Sequence, residues 1–88
     1  MARLELNNPE FVMDGQAASA DIFYEMGMMY MIGRSVDVDF VAAHKWFNLA
    51  AFRGNKDAAA YRKEISAEMS PSDVAEAQRQ AREWLSLH

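Results

Sequence analysis

Met26-Gly27-x-Met29-Tyr30-x-x-Gly33-x-x-Val36-x-x-Asp39, followed by Ala43-x-x-Trp46-Phe47-x-x-Ala50-Ala51-x-x-Gly54-x-x-x-Ala58, is the stretch that decides the fold. Alanine and methionine dominate its first part and no proline interrupts residues 16–32, which favours helix. Gly33 is placed to end that helix, because glycine tolerates the left-handed backbone on which helices stop. Asp37 or Asp39 can cap the next helix by accepting hydrogen bonds from its free amide groups. That second helix is expected over 37–53, with Phe40, Ala43, Phe47, Ala50 and Ala51 on one stripe and Gly54-Asn55 as its stop. Gly27 and the small residues Ala43, Ala50 and Ala51 allow the two helices to approach closely. Tyr30, Trp46 and Phe47 fill the space between them.

Reading outward, a third helix is expected over 56–69, with Ala58, Tyr61, Ile65 and Met69 as its stripe. Ser70-Pro71-Ser72-Asp73 is a helix start, with a serine cap and proline at the first helical position. It opens a fourth helix over 71–87 that carries Val74, Ala77, Ala81, Trp84 and Leu85 on one side. The opposite side holds Glu76, Arg79 and Glu83 at ion-pairing spacing. Short connections predict antiparallel neighbours, and no stretch alternates like a half-buried strand. The fold class is therefore all-α: four helices in a short αα-hairpin solenoid. Residues 1–15 form an N-terminal extension in which Asn7-Asn8-Pro9 and Gly15 are breakers. Its apolar Leu4, Leu6, Phe11, Val12 and Met13 are expected to drape over the core.

The quoted pattern resembles a Sel-one-like repeat, a relative of the tetratricopeptide repeats. That family carries a leucine-glycine pair, a tyrosine, a glycine-x-glycine-valine turn, an aspartate, an alanine, a tryptophan-tyrosine pair, a double alanine and a glycine. The resemblance places one clear repeat at about 20–58 and a degenerate closing repeat at about 59–87, within a domain spanning 16–88. It implies a small bacterial member whose role is protein–protein interaction. Met26 stands for the usual leucine and Phe47 for the usual tyrosine. Ser35 replaces the second turn glycine, so an altered turn is expected there. Ala42 and Leu49 stand where lysine is common, and Leu49 is expected to add apolar surface at a wet position.

Composition narrows the function further. The 88 residues allow one small domain, and the absence of cysteine excludes disulfides, thiolate metal sites and cysteine nucleophiles. The net charge of −4 gives no footprint for nucleic acid and no basic handle for a membrane. Residues 1–44 carry two basic and seven acidic side chains and residues 45–88 seven and six, an asymmetry able to orient head-to-tail contacts. Glu5, Pro9 and two asparagines break any signal-like run near the start, and a cytoplasmic, soluble chain is expected. No enzyme activity, metal or cofactor is expected. His44 lacks a second histidine at ligand spacing and reads as a partly exposed structural residue. Ser70 reads as a cap, and Asp21, Asp37 and Asp39 lack calcium-loop spacing. Arg53, Lys56, Arg62 and Lys63 read as a solvated basic face.

Nine of the eleven residues from Ile22 to Ile32 are apolar or aromatic, more than one packed stripe requires. Ile22, Met26, Met29 and Gly33 are expected to face the second helix. Tyr24, Met28 and Met31, with Phe23 beside them, form a second stripe, and methionine repacks readily against different partners. With Leu49 and Phe52 of the second helix, these are the candidate protein-binding residues: Phe23, Tyr24, Met28, Met31, Leu49 and Phe52. The expected function is an adaptor or regulatory module binding a partner protein or peptide, and a homodimer in isolation. The alternatives are a small regulatory subunit of an enzyme or a small-ligand sensor using the same groove.

Overall fold

The computed structural model describes residues 15–88, with side chains from residue 19 onward; the N-terminal extension and its apolar residues lie outside the described part. Four helices follow one another: α1 (Gly15–Ile32), α2 (Phe40–Phe52), α3 (Lys56–Ser66) and α4 (Pro71–Leu87). There is no strand among the described residues.

Each boundary has a local cause. The Met29 carbonyl accepts from the amides of both Gly33 and Arg34, at 2.8 and 3.0 Å, which turns the chain out of α1. Gly33 takes a φ of +77° to do so, and Ser35 follows in the same left-handed region at +69°. Ser35, where an altered turn was expected, thus holds a conformation that suits glycine. Asp39, not Asp37, caps α2, its carboxylate accepting from Ala42 N at 3.0 Å. Past α2, Asn55 N donates to Ala50 O and Gly54 N to Ala51 O, both at 3.0 Å. Gly54 sits at φ +104°, completing a Schellman stop. Asn55 then caps α3 through Ala58 N at 2.8 Å. Helix α3 ends at Ser66, short of the expected 69, because residues 67–69 tighten into three-residue turn bonds. Ser70 caps α4 through Asp73 N at 3.1 Å. On its solvent side Arg79 bridges Glu76 and Glu83, at 2.7 and 3.6 Å.

Helix α2 is the hub. It packs against α1, α3 and α4, whereas α3 and α4 have little contact with each other. The expected stripe Ala43, Phe47 and Ala50 is buried, but so are His44 and Leu49, on other sides of the helix. A helix covered by three neighbours cannot be described by one apolar stripe. Leu49 is 1% exposed and lies one turn beyond Trp46, on a side that the core covers, so its expected place at the surface is corrected. The open side of α2 is the strip shared by Lys45, half-buried, and Phe52, exposed.

The phase of α1 also differs from expectation. Phe23, Tyr24 and Gly27 meet α2, while Ile22 points outward and is exposed. Phe47 explains this. A Cβ on Gly27 would stand 2.5 Å from Cδ1 of the Phe47 ring, so the glycine must be the residue at the crossing. The ring itself is fully buried.

Two aromatic clusters grow from the adjacent pair Trp46 and Phe47. Phe47 meets Tyr24 of α1 and Tyr61 of α3 at centroid distances of 6.0 and 5.7 Å, and the two tyrosines meet at 6.1 Å. Trp46 meets Phe23 of α1 and Trp84 of α4 at 5.4 and 6.1 Å, and Phe23 meets Trp84 edge-on at 5.2 Å. Such pairs contribute about 0.5–1.5 kcal/mol each beyond the area they bury. Small residues let the backbones close in around them: Ala43, Ala50, Ala58, Ala77 and Ala81 are all buried.

Two substitutions should move stability in opposite directions. Gly27→Ala gains about 1 kcal/mol of helix propensity but drives a methyl into a ring that has no room to move. It should lower stability by about 1–3 kcal/mol, read as a lower urea midpoint. Ser35→Gly relieves a left-handed backbone that costs an ordinary residue about 1–2 kcal/mol. Part of that is offset by the larger unfolded-state entropy of glycine. The net expectation is a gain of about 0.5–1 kcal/mol in the same measurement.

Candidate functional site

A groove of about 770 Å³ lies between α3 and α4, floored by α2. His44 and Asn48 of α2 form the floor. Ala59, Ala60, Arg62, Lys63 and Ser66 of α3 form one wall, and Val74 and Gln78 of α4 line the other side. The groove exists because both wall helices dock on α2 and hardly on one another.

Its polar groups are organised by bonds between α2 and α3. Arg62 Nη1 donates to Asn48 Oδ1 at 2.7 Å, which fixes the guanidinium over the floor. His44 Nε2 lies 2.9 Å from Ser66 Oγ, and Ser66 Oγ lies 2.8 Å from the Arg62 carbonyl. The serine has one proton, and the carbonyl can only accept. Ser66 therefore donates to Arg62 O, and His44 donates to Ser66 through Nε2–H. His44 Nδ1 is then a lone-pair acceptor, buried and without a protein partner.

His44 is buried, contrary to the expected partial exposure. Burial, and secondarily the positive charge of Arg62, hold its pKa below the usual histidine value. The imidazole is thus neutral at neutral pH. The Ser66–His44 pair does not form an activated nucleophile. Activation requires the histidine to take the serine proton and a third group to orient the ring through its other nitrogen. Here the proton points at a carbonyl and Nδ1 is unpartnered.

Of the candidate protein-binding residues, Phe23 and Leu49 are buried within the core. Tyr24, Met28 and Met31 are half-buried and pack against it. Burial, with the nearby Tyr61 and Asp57, pushes the Tyr24 phenol pKa up. Phe52 alone stands free, 70% exposed. The six do not converge on one open surface. Ile22, at 59% exposure, is the large apolar neighbour that the stripe reading had turned inward. The Asp21–Asn55 hydrogen bond of 3.3 Å and the Arg53 guanidinium over the Phe23 ring at 5.9 Å bring the start of α1 beside the end of α2. Ile22 and Phe52 thus lie at the same end of the α1–α2 pair.

The groove residues Asn48, Ser66 and Gln78 were not singled out by sequence. The only signal was the four-residue offset of His44 and Asn48 on α2 and of Arg62 and Ser66 on α3, which puts each pair on one helix face. No group of three metal-ligating side chains occurs among the described residues. No helix among them is long and apolar enough to cross a membrane. No family model, no curated protein and no solved structure matches the chain.

The neutral, buried His44 makes a pH prediction. Its folded pKa lies below the unfolded value of 6.5, so the unfolded chain takes up the proton first as pH falls. This contribution is complete above the unfolded pKa and is lost progressively below it. Urea midpoints should fall between about pH 7 and about pH 5.5. His44→Gln, which retains a donor for Ser66, should flatten that part of the profile.

Proposed function

We propose that this chain is a protein–protein interaction module of the Sel-one-like repeat kind, an adaptor or regulatory scaffold without a catalytic step. The reading rests first on the fit between the repeat pattern and the backbone. Both turn positions of the glycine-x-glycine element, Gly33 and Ser35, take left-handed φ values. The pattern's aspartate is the cap of α2. The alanines Ala43, Ala50 and Ala58 are buried at helix contacts. The Trp46–Phe47 pair seeds the two aromatic clusters, and the final glycine, Gly54, carries the stop after α2.

The observation that carries the function is the apolar end of the α1–α2 pair. Phe52 and Ile22 are largely exposed there, and Phe52 is the one exposed residue of α2. An aromatic and a β-branched side chain together in water are characteristic of a surface that a partner covers. Tyr24, Met28 and Met31 contribute packing beneath α1 rather than the contact itself. In isolation the same surface pairs with a second copy, since a twofold interface uses one patch against itself.

Phe52→Glu, alone and with Ile22→Glu, should leave helicity intact and the urea midpoint within about 0.5 kcal/mol of the parent, as expected for surface positions. Light scattering should then report the loss of self-association. A parent protein that stays monomeric at high concentration, or a Phe52→Glu variant that still dimerises, would remove the basis for this surface.

A further inference from the structure

We infer that the groove between α3 and α4 is a second, electrostatic docking site that takes an acidic segment of the partner protein. The inference deepens the interaction-module reading and rests on it. Three observations carry it, and none involves the apolar end of the α1–α2 pair.

The first is charge. The chain has 13 acidic and nine basic side chains, yet the residues lining the groove include Arg62 and Lys63 and no carboxylate. Of the other described arginines, Arg34 pairs with Glu25 and Arg79 with Glu76 and Glu83, while Arg53 and Arg82, which lie outside the groove, have no ion pair among the described residues. Among the described residues neither Arg62 nor Lys63 has an acidic partner within ion-pair distance. Two unpaired cations in a concave site on an otherwise acidic protein focus attraction for a negative group.

The second is preorganisation. Arg62 is held by a neutral amide, Asn48, through Nη1 alone. That bond fixes the guanidinium without cancelling its charge. It leaves the edge formed by Nε and Nη2 for a bidentate contact with a carboxylate. The bond from Ser66 to the Arg62 carbonyl secures the same residue from its backbone side, and the neutral His44 adds no competing charge beneath it.

The third is shape and lining. A groove of about 770 Å³ far exceeds a single ion, and it is open to solvent rather than enclosed. Ala59, Ala60 and Val74 give it apolar edges, and Gln78 offers an amide from the α4 side. Cations with apolar edges in an open trough suit an extended peptide whose acidic side chains alternate with aliphatic ones. A small metabolite would call for a closed pocket that surrounds it.

The test uses the full chain and a fluorescein-labelled peptide of alternating glutamate and leucine. Its glutamine–leucine counterpart and inorganic phosphate serve as comparators. The acidic peptide should bind, the neutral one should bind at least roughly tenfold more weakly, and salt should weaken the acidic complex. Arg62→Gln should reduce affinity by roughly tenfold or more. Lys63→Glu, at an exposed position that folding does not need, should do likewise. Arg62→Lys, which keeps the charge but not the fork, should fall between. Equal affinity for acidic and neutral peptides, or binding untouched by both Arg62→Gln and Lys63→Glu, would overturn the inference. So would phosphate displacing the peptide at concentrations that leave ionic strength unchanged, since the site would then be one for small anions. Self-association of the parent is recorded in the same samples. If it persists while the acidic peptide fails to bind, the groove inference falls and the interaction-module reading stands.

Discussion

The closeness of Gly27 to the Phe47 ring governs this molecule. With no side chain at position 27, α1 comes near enough to α2 for the ring to lie directly against its backbone. That contact sets the rotation of α1 about its axis, which sends Phe23 and Tyr24 inward and Ile22 outward. It also holds Phe47 where Tyr24 and Tyr61 can meet it, and so joins α3 to the α1–α2 pair. The neighbouring Trp46 does the same for α4 through Trp84. Two consecutive side chains on one helix thereby organise all four.

Much of the architecture was legible in the sequence because its signals are local. The stops at Gly33 and Gly54, a cap at Asp37 or Asp39, the cap at Ser70 and the proline at position 71 act within a turn of where they stand. The stripes of α3 and α4 were legible for a related reason: each helix has one packed side, so Ala58 and Ile65, or Ala77 and Ala81, mark it plainly. Helices α1 and α2 were harder. Nearly every side of α1 from Ile22 to Ile32 is apolar, so periodicity does not fix its phase. On α2, His44 and Leu49 are buried on sides away from the Ala43–Phe47–Ala50 stripe, a tertiary fact that local pattern does not contain.

The groove was less legible still. His44 and Ser66 are 22 residues apart, and Asn48 and Arg62 are 14 apart. Their chemistry arises only when α3 folds back along α2. In sequence Arg62 and Lys63 read as part of a solvated basic face, since Glu64 and Glu68 follow closely. In the fold those acids are not among the groove residues, and the charges that looked diluted are left unopposed. The candidate contact residues fared unevenly for the same reason. Phe52 occupies the one open strip of the hub helix, whereas Leu49, three residues earlier, is rotated into the core.

The separate attachment of α3 and α4 to α2 has a mechanical consequence. The two walls of the groove are joined directly only through the short turn at 67–70, and otherwise through the helix beneath them. Widening the trough means tilting α3 or α4 on α2, and each tilt works against a ring contact, Tyr61 on Phe47 for α3 or Trp84 on Trp46 for α4. The width of the groove is therefore set by how each wall helix docks on α2 and not by contact between the walls. Anything seated between α3 and α4 would act as a brace, stiffening a pair of helices that the chain itself leaves unfastened.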